Sequence, residues 1–287
     1  MSVVINSNVA SLIAQRSLTD NTYSLQKVFE RLSSGAKINS AKDDAAGLSI
    51  SEKLKVQLNG YQKAINNTKD GVNALNIADS GLESMIDSLQ RIRELSVQAA
   101  TATYSSSERT YILDEIKERL TDMNRVIQTS KFNDTPLLDG SLSALGLRIQ
   151  TGPDSALSTN TIDISTAFSG SLTVTGLALD SAMTASGATW DADAARAYMD
   201  SVDTALDTLL RARSKIGSMQ NRMDSVLANL DAMTQNLTSS QSAIRDTDIA
   251  KDTAEMTRLQ ILQQSTTQVL QQVNQLPALA LKLLGGQ

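Results

Sequence analysis

The stretch LKVQLNGYQKAINNTKDGVNALNIADSGLESMIDSL, Leu54 to Leu89, decides the fold. Its apolar side chains fall on a seven-residue repeat, with Leu58, Ile65, Val72 and Ile86 in one row and Leu54, Tyr61, Leu75, Leu82 and Leu89 in the other. Thr68 and Asp79 interrupt the rows. Extended outward to about Ala45 and Ala100, the pattern predicts one helix of roughly 80 Å at 1.5 Å per residue. A compact globule of this chain length would be only roughly 50 Å across. The expectation is therefore a rod.

Downstream, TATYSSSE (Thr101 to Glu108) breaks the pattern and supplies capping residues for a new helix that carries Leu113, Ile116, Leu120, Met123 and Ile127. A third run, Ile216, Met219, Met223, Val226, Leu230, Met233 and Leu237, steps by three and four, and Val202, Leu206 and Leu209 extend it upstream. Three such runs joined by turns predict a mostly α chain, a long antiparallel helical bundle with coiled-coil seams. Aromatic residues make up only 3% of the chain, so Leu, Ile, Val, Met and Ala must fill the core, which suits helix-on-helix packing.

Between Asn133 and Trp190 the helical period fails, and Pro136 and Pro153 fall there. GLRIQTG (Gly146 to Gly152), NTIDIS (Asn160 to Ser165) and SLTVTGLAL (Ser171 to Leu179) read as two to four short strands at one end of the rod. A disordered Ser/Thr-rich loop is the alternative.

The two ends differ from the rest. Among the first 26 residues only Arg16 and Asp20 are charged, and from Leu259 to Gln287 only Lys282 is. Both ends nevertheless keep helical apolar spacing: Ile5, Val9, Leu12, Val28, Phe29 and Leu32 at one, Leu262, Val269, Val273 and Leu276 at the other. A solvated surface helix normally carries charge, because burying a charge without a partner costs several kcal/mol. Ends nearly free of charge point to dense assembly, and these ten residues are the candidates for a polymerisation core. Pro277 is expected to kink or interrupt the last helix.

The search for chemistry returns little. The chain has no histidine and no cysteine, which removes His-based acid/base catalysis, Ser-His-Asp triads, HExxH metal sites, disulfides and thiolate ligands. No catalytic, cofactor-binding or metal site is assigned. Asp43 and Asp44 are adjacent, do not face each other on a helix, and read as structural residues at a helix start. A net charge of −5 without a dense basic cluster argues against nucleic acid. The most apolar stretch, Leu276 to Leu284, is about half a bilayer span and contains Lys282, so membrane insertion is not expected. Met1 to Ser17 shows no conventional signal peptide.

The segment SSGAKINSAKDDAAGLSIS, Ser33 to Ser51, resembles the signature of the bacterial flagellins. QRIRELSVQAATAT (Gln90 to Thr103), EIKERLTDMNRV (Glu115 to Val126), KFNDTPLLDG (Lys131 to Gly140), KIGSMQNRMDSVLANL (Lys215 to Leu230) and ILQQSTTQVLQQVNQLP (Ile261 to Pro277) continue the resemblance in order. It covers roughly residues 1–140 and 195–287. Ala36 departs from it, standing where the family usually has Leu.

The resemblance implies a secreted filament subunit, a near-minimal form with two domains. Residues 1–43 with 248–287 would form inner-core terminal helices, and 44–247 an outer-core bundle including a small β and loop region at 133–190. The partners it implies are identical subunits in a helical filament on the cell exterior, the flagellar type III export apparatus, a flagellin chaperone, and cap and hook-associated proteins. A host Toll-like receptor would read Gln90, Arg91, Leu95, Gln98 and Glu115. Two other readings remain: a hook–filament junction protein with similar terminal helices, and a non-flagellar coiled-coil translocator.

Overall fold

The structure is a computed structural model and describes residues 8–142, 146–168, 172–180 and 190–284. Six helices carry the argument: α1 (Val9–Ser34), α2 (Ala45–Ala99), α3 (Ser106–Thr129), a single turn α4 (Leu157–Asn160), α5 (Ala192–Arg245) and α6 (Ile249–Leu284). Two small antiparallel hairpins accompany them, β1 (Lys131–Phe132) with β2 (Thr135–Pro136), and β3 (Arg148–Gln150) with β4 (Thr161–Asp163). The chain divides into two compact units, one comprising Met1–Val56 and Asn236–Gln287, the other Gln57–Gln235.

The second unit is built around the heptad rows. Leu75, Leu82, Met85, Leu89 and Ile92 of α2 are fully buried with Ile116 and Met123 of α3 and with Val202, Leu209, Ile216 and Met223 of α5. The two interruptions are satisfied locally. Thr68 is buried but donates its hydroxyl to the Ala64 carbonyl at 2.7 Å, and half-buried Asp79 receives Arg213 of α5 at 3.0 Å. A buried polar group costs little once it is hydrogen-bonded. At the start of α3 the expected cap is a full capping box, with Ser105 and Glu108 each bonding the other's backbone N–H.

Three α2 positions without a side chain seat the non-helical segment on that helix. A Cβ on Gly60 would meet Pro153 at 2.8 Å, one on Gly71 would meet Ile149 at 3.1 Å, and one on Gly81 would meet Ser130 Oγ at 2.6 Å. Each glycine gives up about 1 kcal/mol of helix propensity in exchange for this approach.

Two of the three expected strand segments pair with each other, Ile149 opposite Ile162. SLTVTGLAL is different: residues 174–178 form turns, although Leu172, Val174, Leu177 and Leu179 are all buried. Its backbone bonds are local, Leu177 N–H to Thr173 O and Leu179 N–H to Val174 O, so no partner strand is required. A hairpin not expected from alternation forms at Lys131–Pro136, where Asn133 and Asp134 take positive φ values of 47° and 64°, the backbone of a tight two-residue hairpin turn.

Candidate assembly surface

The first unit is organised by the antiparallel pairing of α1 and α6. Asp44 starts α2 by accepting the Gly47 N–H at 2.9 Å, while Asp43 accepts the Ser40 N–H and hydroxyl, which places both aspartates in helix-start turns. Gly35 closes α1 in the left-handed region at φ 69°. Beside it a short antiparallel bridge joins Ala36 to Asp246, with Lys37 N–H to Arg245 O at 2.6 Å and Thr247 N–H to Gly35 O at 3.1 Å. One charged pair is sheltered next to this bridge: Arg31 meets the buried Asp252 at 3.2 Å.

Along the rest of the pair the hydrogen bonds join uncharged side chains, and Ala14 and Val28 of α1 and Leu259 of α6 are buried. Asn21 reaches Thr266, Gln263 reaches Thr22 at 3.2 Å, and Ser11 donates to Asn274 at 2.7 Å. Asn8 works in two directions. Its Oδ1 caps α1 by accepting the Ser11 N–H at 3.1 Å, and its Nδ2 donates to the Val273 carbonyl at 3.1 Å. Val273 lies four residues before Pro277, so its carbonyl is the one that loses its helical donor to the proline. The expected break at Pro277 is therefore absent. α6 continues through to Leu284, and a side chain from α1 supplies the missing hydrogen bond.

Large apolar side chains lie on the outside of this unit. Leu12 is 71% exposed and Val9 63%, while Phe29, Leu262 and Val269 are also exposed. Leu32 and Val273 are half-buried, and Val28, at 2%, belongs to the interior. Ile5 and the side chain of Leu276 lie outside the described residues. The structure adds Ile13, Tyr23, Ile249 and Ile261 to the exposed set. They break single-stripe spacing, and a helix with more than one apolar face was the available signal.

In the second unit, Arg91 joins Glu94 and Glu115, both at 3.1 Å, and these carboxylates hold its guanidinium more firmly protonated. Gln90 is exposed, and Gln98 donates to Tyr104 Oη at 3.1 Å. Leu95 is 3% exposed and belongs to the core, apart from this polar surface. Among the described residues no group of three or more Asp and Glu is placed to hold a metal ion, and no helix is long and apolar enough to cross a membrane.

A helix pair that leaves many of its large apolar residues exposed defines a class of protein: a structural subunit completed by assembly. Comparison with known proteins identifies which. The description "Bacterial flagellin N-terminal helical region" matches residues 5–143, and "Bacterial flagellin C-terminal helical region" matches residues 199–284. A flagellin of Halalkalibacterium halodurans is 35% identical over 98% of this chain and 100% of its own length. The flagellar filament 33 kDa core protein of Treponema phagedenis is 33% identical, also over 98% and 100%. A solved structure described as a flagellar hook-associated protein of Vibrio parahaemolyticus aligns with a TM-score of 0.57 at 14% identity, covering 71% of this chain and 100% of that one, which shows the shared fold alone.

The chain belongs to the bacterial flagellin family. It is a structural subunit of the flagellar filament and not an enzyme, and the hook–filament junction alternative is not favoured.

Proposed function

We propose that the outer face of the α1–α6 pair is the surface through which this flagellin polymerises, with Val9, Leu12, Phe29, Leu262 and Val269 in direct contact with neighbouring subunits and Val28 and Leu32 supporting them from within. The observation that carries this reading is the exposure of those apolar side chains on a helix pair whose chain ends are nearly free of charge. Ile5, Val273 and Leu276 remain candidates for the same contact by their spacing in the sequence. On this reading residues 1–43 and 248–287 form the inner core of the filament and 44–247 the outer core. Removing residues 259–287 should leave a helical protein by circular dichroism that forms no filaments in electron micrographs. Unchanged filaments from the truncated chain would overturn the reading.

The same surface requires cover before assembly, because exposed apolar helices aggregate. That supports a chaperone bound to α6, secretion through the flagellar export apparatus, and contact with cap and hook-associated proteins at the filament's ends. Recognition by a Toll-like receptor would use Gln90, Arg91, Gln98 and Glu115, which share the polar surface of α2 and α3, with Leu95 acting from the core beneath. Arg91→Ala should weaken binding to a receptor ectodomain by about tenfold in a surface-binding assay, the loss of a charge-assisted contact. Unaltered affinity would remove this group from the site.

A further inference from the structure

Arg31 of α1 uses only part of its guanidinium. Its Nη2 reaches the buried Asp252 carboxylate of α6 at 3.2 Å, and the other oxygen of Asp252 accepts the Thr247 hydroxyl. Its Nε is buried and finds no acceptor among the described residues. A buried donor left without a partner carries the full cost of its desolvation, and the cost is larger when the group is charged.

One carboxylate is placed to supply the missing acceptor. Glu255 lies three residues after Asp252 on α6, so the two share a face of that helix. Arg31 and Glu255 both line two open grooves, of about 680 and 480 Å³, which leave the Glu255 side chain room to turn. Both oxygens of Glu255 accept instead from Arg258, with Arg258 Nε at 2.9 Å. The Arg258 side chain is 60% exposed and that of Glu255 37%, so water and salt screen this pair. Hydrogen bonds from Arg258 hold the Glu255 carboxyl below its ordinary value, and the charge of Arg31 adds to the effect.

We infer that Glu255 is a two-position switch: bonded to Arg258 it completes an exposed pair, and turned to Arg31 Nε it closes an Asp252–Arg31–Glu255 network between α1 and α6. The two positions compete for one carboxylate. Whatever draws Arg258 away releases Glu255 to Arg31, which ties an event on the outside of α6 to the grip of α6 on α1. The coupling is reciprocal, because loss of Arg31 leaves Glu255 wholly to Arg258. Repulsion between the carboxylates of Asp252 and Glu255 opposes the inner position, and the outer one is therefore held while Arg258 is at hand.

Substituting Arg258→Gln removes the outer partner without touching α1. In filaments of that variant, a cryo-electron microscopy map at side-chain resolution should place the Glu255 carboxylate within about 3.2 Å of Arg31 Nε. Adding Glu255→Gln should then raise the critical concentration for growth by a factor about threefold larger in the Arg258→Gln chain than in the wild type, where the carboxylate serves only an exposed pair. Should Arg258→Gln chains not grow, Arg258→Lys filaments take their place, because a single ammonium does not hold both carboxylate oxygens as a guanidinium fork does. A Glu255 carboxylate that stays away from Arg31 Nε in the variant filaments, or equal effects of Glu255→Gln in the two chains, would overturn the switch. Neither result bears on which face of the α1–α6 pair meets other subunits, so the assembly reading stands or falls separately.

Discussion

The two compact units bury their apolar residues by opposite rules. In the Gln57–Gln235 unit, α2, α3 and α5 enclose a dry core in which Leu75, Leu82, Leu89, Ile116 and Ile216 are all 0% exposed. In the other unit, α1 hides Ser11, Ala14 and Val28 and presents Leu12, Ile13 and Phe29 to solvent. The Gln57–Gln235 unit thus encloses its apolar core within one chain. Hydrogen bonds from Asn8, Ser11 and Gln263, with the buried Ala14, Val28 and Leu259, hold α1 against α6 while other apolar side chains stay exposed.

The largest effect expected from this contrast separates folding from assembly. Leu89→Ala in the closed core should lower unfolding free energy by about 2–5 kcal/mol, the usual cost of deleting a buried leucine side chain. Leu12→Ala should change monomer stability by no more than about 0.5 kcal/mol, as for an exposed position. It should nevertheless raise the critical concentration for filament growth several-fold. Urea melts of both variants alongside sedimentation of polymer would measure the two quantities. Equal destabilisation by the two substitutions would erase the distinction between the units.

A smaller effect is expected at Asn8, which caps α1 and also fills the vacancy left by Pro277. Asn8→Ala removes both bonds and should cost about 1–2 kcal/mol, the range for losing a helix cap. That loss should register as faster amide hydrogen exchange in α1 and α6, with exchange in α3 unchanged. If Pro277→Ala is introduced as well, the Val273 carbonyl regains its backbone donor and part of the protection in α6 should return. No recovery would mean that Asn8 acts only as a cap.

These details show where sequence reading reaches its limit. The α2 rows were legible because every heptad position repeats the same environment, and Thr68 and Asp79 stood out as exceptions whose partners only the fold supplies. The Ser105–Glu108 cap was legible because it is local. Asn8 and Val273 are 265 residues apart, so no local pattern could reveal that one repairs the helix of the other. The spacing of Val9, Leu12, Val28 and Phe29 marked apolar positions but could not say that Val28 is buried while Val9, Leu12 and Phe29 are exposed. In SLTVTGLAL the alternation was real, yet its apolar residues plug the core from turns, and burial alone does not distinguish a strand from a turn.

The smallest effect concerns acid, and it is expected at the α3 cap. The hydrogen bonds that Asn8, Ser11 and Gln263 make between α1 and α6 join amides, hydroxyls and a carbonyl, which bind no proton across the accessible pH range. The α3 cap does titrate. The Ser105 backbone N–H and hydroxyl hold the Glu108 carboxyl below its ordinary value, so its charged form is favoured in the folded protein. A carboxyl with a depressed folded pKa adds stability above its unfolded pKa and loses it as pH falls through the folded value. The difference in melting temperature between wild type and Glu108→Ala should therefore be constant near pH 7, begin to shrink below about 4.3, and lose its charge-dependent part at lower pH. Thermal melts of the two proteins from pH 7 to pH 3 would trace that curve. A gap that does not change with pH would assign the cap's contribution to packing or helix propensity, and the carboxylate would have no electrostatic part in holding α3 to the closed core.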